Sequence, residues 1–324
     1  MSEEGEEEAP PKVLTPDLIK ASLSQIGKTF DGTSYAFLKL DLTDKELESL
    51  CEDLGGYQHL RFLELNGNVL GDISVLAKIP YVLRLNLKGS RVPKLDLFNN
   101  EETFSHLQFL NLQGNRITAL TPLKLPKLIH LNLCNNEIAT AESFEGHANL
   151  RKLELRANKL KSLVGLKNMP QLAELYVAEN EVASLMGLEE LPSLTTLHLR
   201  KNKVEKVEEE GLPDLYALTY LNLRENPLGT VADVGRLKVF PRLSKLHVQG
   251  STFAEEQADN TKREMLIVFP RLAVINKEEV TNEDREDAIA ESAERFRLAE
   301  EARKEAERAA REAEEKERGE PEES

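Results

Sequence analysis

The sequence predicts an α/β solenoid: a curved parallel β-sheet on the concave face, short 3₁₀ or helical segments on the convex face, and a C-terminal α-helix. Three observations carry that prediction. A frame L-x-x-L-x-L-x-x-N recurs along most of the 324 residues. The residues between its leucines differ from copy to copy. From Thr281 onward the frame gives way to an Ala/Glu/Arg-rich run.

The frame fits Leu60-Leu63-Leu65-Asn68, Leu107-Leu110-Leu112-Asn115 and Leu128-Leu131-Leu133-Asn136. It continues at Leu150-Leu153-Leu155-Asn158, Leu172-Leu175-Val177-Asn180, Leu194-Leu197-Leu199-Asn202 and Leu218-Leu221-Leu223-Asn226. Two copies end in serine, at Ser90 and Ser251, and a weaker one begins at Phe37-Leu40-Leu42. The last position advances by 22, 25, 21, 22, 22, 22, 24 and 25 residues. Such a frame is a leucine-rich repeat. Each L-x-L is a short strand whose leucines point into the solenoid, and one repeat cannot bury its apolar face without stacked neighbours. The Asn amide is expected to bond the backbone of its own turn and of the next repeat, satisfying groups that the ladder leaves unpaired. The shorter hydroxyls of Ser90 and Ser251 should hold their turns less tightly. About a dozen residues connect Asn to the next strand, room for only one-turn or 3₁₀ helices. The longer repeat around Pro93 and NNEETF (99–104) is expected to bulge.

The ends of a solenoid need covers. Residues 1–12 read as an acidic disordered tail and 13–35 as an N-terminal helical cap. In the cap, TPDLIKASLSQI (15–26) offers Thr15 as N-cap, Pro16 at N1 and Ile19, Leu23 and Ile26 as an apolar face. The repeats, nine to ten of them, occupy 36–261, and a C-terminal cap of a short helix and a last strand occupies 262–280. Residues 281–318 read as a charged helix, opened by a Thr281–Asp284 capping box and supported by i,i+4 pairs such as Glu300–Lys304. Residues 319–324 form a tail. Ile289, Phe296 and Leu298 are the apolar residues through which this helix could bind a partner, where a helix merely solvated would leave them idle.

Formal net charge is −15, and much of it lies at the ends: residues 1–10 hold five Glu and no base, and 281–324 hold 17 acids against nine bases. That distribution disfavours a phosphate-backbone binder, which needs clustered Lys and Arg. Two cysteines, Cys51 and Cys134, have no metal-ligand spacing and fit a reducing compartment. The start lacks the basic and apolar regions of a signal peptide, and no apolar run approaches the ~20 residues that span a bilayer. A cytoplasmic protein is expected, without nucleic acid, membrane or small-molecule substrate among its partners.

No phosphate loop, H-E-x-x-H or C-x-x-C is present, so no catalytic residue, cofactor or metal is expected. His198 and His247 occupy equivalent strand positions two repeats apart, roughly 10 Å at about 4.8 Å per repeat, too far to share a metal. They are expected as isolated surface side chains. Cys134 is expected as a strand-surface thiol and Cys51 as a packed apolar group. The variable positions alternate with the leucines and face the concave surface. In the C-terminal half they present Arg156, Arg200 and Arg224 beside Tyr176, His198 and Tyr220. Aromatic and arginine side chains concentrate interface energy. Arg200 and Arg224 should be direct neighbours, which costs free energy unless something offsets it. Local pairing with Glu154, Glu174 or Glu225 would do so, and so would an acidic or extended peptide lying across the curve.

Beyond the shared frame, LTPDLIKASLSQIGKT (14–29), YAFLKLDLTDKEL (35–47), LYVAENEVASLMGLEELPSLTTLHLRKNKV (175–204), LTYLNLRENPL (218–228) and EMLIVFPRLAVINKE (264–278) together resemble the leucine-rich repeat-containing protein 23 family. That resemblance covers about residues 14–280. It implies a non-catalytic structural scaffold of the ciliary or flagellar axoneme and cytoskeleton, a radial spoke component with other axonemal proteins as partners. A regulatory protein-binding module, like the leucine-rich phosphatase regulators that share the 22-residue frame, is the alternative.

Overall fold

Leucine rows build the sheet. The computed structural model describes residues 11–208, 210–256 and 260–319, and in them thirteen strands hydrogen-bond in chain order. The strands are β1 (Leu23–Lys28), β2 (Tyr35–Asp41), β3 (Phe62–Glu64), β4 (Arg84–Asn86), β5 (Phe109–Asn111), β6 (His130–Asn132) and β7 (Lys152–Glu154). They continue with β8 (Glu174–Tyr176), β9 (Thr196–His198), β10 (Tyr220–Asn222), β11 (Lys245–His247), β12 (Val274–Ile275) and β13 (Glu278–Glu279). From β2 to β12 every pair is parallel, and the register sets Leu40, Leu63, Leu85, Leu110 and Leu131 in one row. The row runs on through Leu153, Leu175, Leu197, Leu221, Leu246 and Ile275. All are buried, and full burial of such a side chain contributes about 1.5–3 kcal/mol. A strand of three residues makes too few ladder bonds to stand alone; stacking stabilises it.

The asparagines form a second ladder. Asn158 Nδ2 donates to Leu155 O of its own turn at 3.0 Å and to Leu133 O at 2.9 Å, while its Oδ1 accepts from Ile138 N at 3.0 Å. The same set recurs at Asn68, Asn115, Asn180, Asn202 and Asn226. The bonds therefore reach back to the preceding repeat, not forward, because the buried amide sits under the strand it has just left. Ser90 keeps one of them, donating to Leu65 O at 3.1 Å. The Ser251 hydroxyl is buried with no partner among the described residues.

The convex connections are lean. Helices of 3₁₀ type form at Glu52–Gly56, Ser74–Lys78, Asp96–Phe98 and Val231–Val239, and the other connections are turns. Gly165 and Gly187 take φ of 95° and 93° in consecutive repeats. A Cβ at Gly165 would stand 1.9 Å from Ala141 O, so the close stacking of turns requires glycine. In the stretch 99–104, residues 99–102 are exposed, and Phe104 returns to the core 5.5 Å from Phe98, ring to ring.

The N-terminal cover differs from the expected helix over 15–26. Helix α1 (Pro16–Ser22) is capped by Thr15, whose hydroxyl accepts from Leu18 N, and ends after two turns. Leu23–Lys28 instead forms β1, antiparallel to β2 through the turn Thr29–Ser34, so the cover is half helix and half hairpin. Gly27 lies against Leu38, and Ile26, counted on an apolar helix face, is exposed. The hairpin covers the edge that β2 would otherwise leave open.

At the other end, helices α2 (Thr252–Glu256) and α3 (Thr261–Val268) precede β12, and β13 turns back antiparallel on it. Helix α4 (Asn282–Gly319) starts with the Thr281–Asp284 capping box: Asp284 N donates to Thr281 Oγ1 at 3.1 Å, and Thr281 N to Asp284 Oδ2 at 2.7 Å. Its first half is docked. Arg295 forks onto Glu264 of α3, Lys262 pairs with Asp284, and Arg285 reaches the carbonyls of Pro270 and Leu272. No helix among the described residues is long and apolar enough to cross a membrane. Residues 1–10 of the expected acidic tail and 320–324 of the C-terminal tail lie outside the described residues.

Candidate protein-binding face

Side chains that alternate with the buried leucines line the outer face of the sheet, and parallel in-register strands bring equivalent positions side by side. In the C-terminal half this produces a row of four rings. Tyr176 stacks on His198 at 4.6 Å between centroids, His198 faces Tyr220 at 4.8 Å, and Tyr220 faces His247 at 5.1 Å. The row crosses β8 to β11. His198 is half-buried and His247 is buried, so neither is the isolated surface histidine expected; ring stacking has replaced water on their faces. Burial pushes both imidazoles down, His247 to about 4, where Arg224, His198, Lys277 and Lys245 add in the same direction. Both rings are neutral at pH 7.

Carboxylates occupy one flank of the row. The Tyr176 hydroxyl donates to Glu174 Oε2 at 2.8 Å, and burial with this carboxylate raises its pKa. Lys152 Nζ lies 5.0 Å from the Tyr176 ring centre and pairs with Glu154 at 3.2 Å and Glu174 at 3.8 Å. His130 Nε2 lies 2.6 Å from Glu154, and this contact, foremost, holds the Glu154 carboxyl below its usual range.

The three arginines differ. Arg156 pairs with Glu179 at 2.7 Å, and Arg200 with Glu225 through Nε at 2.7 Å and Nη2 at 2.6 Å. These are local pairings, though Glu154 and Glu174 serve His130, Lys152 and Tyr176 instead. Arg224 Nε is buried and has no acceptor among the described residues. The structure thus brings Tyr176, His198 and Tyr220 into one stack and leaves Arg224 beside it without a carboxylate. Arg156 and Arg200 stand further along, neutralised. His247, Lys245 and Lys277 complete the cluster. His247 was legible from its column; Lys277 comes from the turn between β12 and β13, outside the repeat frame. Cys134, expected on the strand surface, is buried, and its thiol pKa is raised by that burial.

The helix residues are also exposed: Ile289 by 68%, Phe296 by 72% and Leu298 by 52%. Ile289 and Phe296 line a groove of about 590 Å³ with Leu266, Ile267 and Pro270, whereas Leu298 lies outside it.

The strand register, asparagine ladder and decorated sheet face are those of a leucine-rich repeat solenoid, a class of protein-interaction scaffold. The chain belongs to the leucine-rich repeat family: a model described as leucine-rich repeat matches residues 130–309, and a two-copy model matches 105–146. None of the matching family models describes an enzyme. Among curated proteins the chain is similar to leucine-rich repeat-containing protein 23. It is 34% identical to the human protein over 200 residues, 49% of this chain and 58% of that one. It is 33% identical to the bovine protein, over 47% of this chain and 56% of that one. The chain thus spans little more than half the length of these relatives. An internalin C2 from Listeria monocytogenes shares the fold with a TM-score of 0.53 at 23% identity, over 64% of this chain and 91% of that one.

Proposed function

We propose that the protein is a non-catalytic scaffold of the ciliary axoneme, a component of the radial spoke, that holds neighbouring subunits through the outer face of its sheet and through α4. The observation that carries the reading is the stacked row Tyr176, His198, Tyr220 and His247 beside an Arg224 with no carboxylate. Rings and arginine on a rigid frame bind at low entropic cost, because the frame holds them in place before the partner arrives. Similarity to leucine-rich repeat-containing protein 23 supports the ciliary setting. On α4, Ile289 and Phe296 offer a second, apolar contact, with Leu298 on another side of the helix. The test is to change Arg156, Arg200 and Arg224 together to Glu and compare capture of axonemal proteins with wild type, while following extraction of the protein from axonemes. Loss of at least one partner, and release by high salt but not by detergent, is expected. Undiminished capture of every partner would reject the face, and a wholly detergent-soluble protein would favour the regulatory module.

A further inference from the structure

The charged groups around His247 are all of one sign. Arg224 comes from the end of β10, Lys245 from β11 itself, Lys277 from the turn after β12, and His198 and Tyr220 are the titratable rings on the β9 and β10 side. The three cations have no ion pair among the described residues, although the face beside them is dense in pairs: Arg200–Glu225, Arg156–Glu179 and Lys152–Glu154. Two donors are left over. Arg224 Nε is buried without an acceptor. Lys277 N donates to His247 Nδ1 at 3.0 Å, so the neutral ring carries its proton on Nε2 and has that N–H to give. An unmet buried donor is costly, and the other arginines on this face, Arg84, Arg156 and Arg200, each pair with a glutamate.

We propose that Arg224, His247, Lys245 and Lys277 form a carboxylate-binding locus at the C-terminal end of the sheet, which takes an acidic side chain of an extended partner peptide whose remaining length lies over the ring row. An ionised carboxylate matches this set: it accepts from several donors at once, carries the charge the locus lacks, and needs no further counterion. An extended segment suits the geometry, because strands about 4.8 Å apart offer a ring at each step across the sheet. The docked first half of α4 is not the occupant, because the Lys262–Asp284 and Arg295–Glu264 pairs hold it against α3. A carboxylate accepts the Nε2–H of the neutral His247 ring, whose Nδ1 keeps the Lys277 amide, so the ring needs no second proton to bind it.

This inference rests on the sheet face being the binding face, but it fails separately. The probe is a fluorescein-labelled octapeptide of alternating glutamate and alanine, titrated with the full chain by fluorescence anisotropy, against the same peptide with glutamine. Expected is saturable binding of the acidic peptide only, weakened about tenfold by Arg224→Gln and by Lys245→Gln, and unchanged by Lys203→Gln, whose cation pairs with Glu181. His247→Phe, which removes the Nε2 donor, should weaken that binding as well. Equal binding of both peptides, or indifference to Arg224→Gln and Lys245→Gln, would each overturn the locus. Affinity that rises when residues 1–10 are deleted would assign it to the chain's own acidic segment and overturn the partner reading. If the locus fails while the triple arginine variant still loses partners, the face binds by its rings and not through a carboxylate.

Discussion

Replacing Asn158 with alanine removes three buried hydrogen bonds at once. Leu133 O and Leu155 O each lose a donor but keep another, from Asn136 at 3.0 Å and Asn180 at 2.9 Å. Ile138 N–H loses the Oδ1 acceptor it held at 3.0 Å. At a net ~0.5–1.5 kcal/mol per bond, with the stranded N–H at the upper end, the loss is about 3 kcal/mol. Ser90→Ala is the internal control, for it breaks one bond of the same ladder, Ser90 Oγ to Leu65 O, and should cost about 1 kcal/mol. Urea unfolding followed by far-UV circular dichroism measures both, provided the slope is unchanged and the shift lies in the midpoint. An Asn158→Ala loss no larger than that of Ser90→Ala would refute the view that the ladder, and not leucine burial only, ties each turn to the one before.

Three further outcomes follow from the same geometry. Gly165→Ala, with φ at 95° and Ala141 O in the way, should lose roughly 1–3 kcal/mol in the same unfolding assay. Arg295→Ala should free the docked half of α4: amide exchange should quicken through residues 288–304 while the strands keep their protection, because the Glu264 fork is lost. Stability should fall as pH drops from about 6.5 toward 4, since the unfolded chain protonates His247 first and the folded chain resists until about 4; His247→Gln should flatten that stretch of the stability–pH curve measured by urea midpoint.

The leucine frame made the sheet and its register legible, because period-two alternation on an almost fixed repeat leaves one solution for which side chains point inward. The same alternation placed Tyr176, His198, Arg200 and Arg224 on one face. The direction of the asparagine bonds was not legible, since the frame is symmetric toward either neighbour until the turn is built. The β1 hairpin was hidden because Ile19, Leu23 and Ile26 keep helical spacing; the turn DGTS (31–34) was the signal against it. Lys277 and the docking of α4 through Arg295 escaped because both arise where the repeats stop, and contacts there are set by three-dimensional packing and not by periodicity. The pairing of Arg156 with Glu179 needed the turn geometry, in which the carboxylate stands one repeat further on.

Amine crosslinking with mass spectrometry on intact isolated cilia probes most directly whether the sheet face is where this chain holds its neighbours. The expected result joins Lys201, Lys245 or Lys277, exposed on or beside that face, to lysines of other axonemal subunits. Crosslinks to neighbours confined to Lys161 and Lys238, on the convex connections, would contradict it.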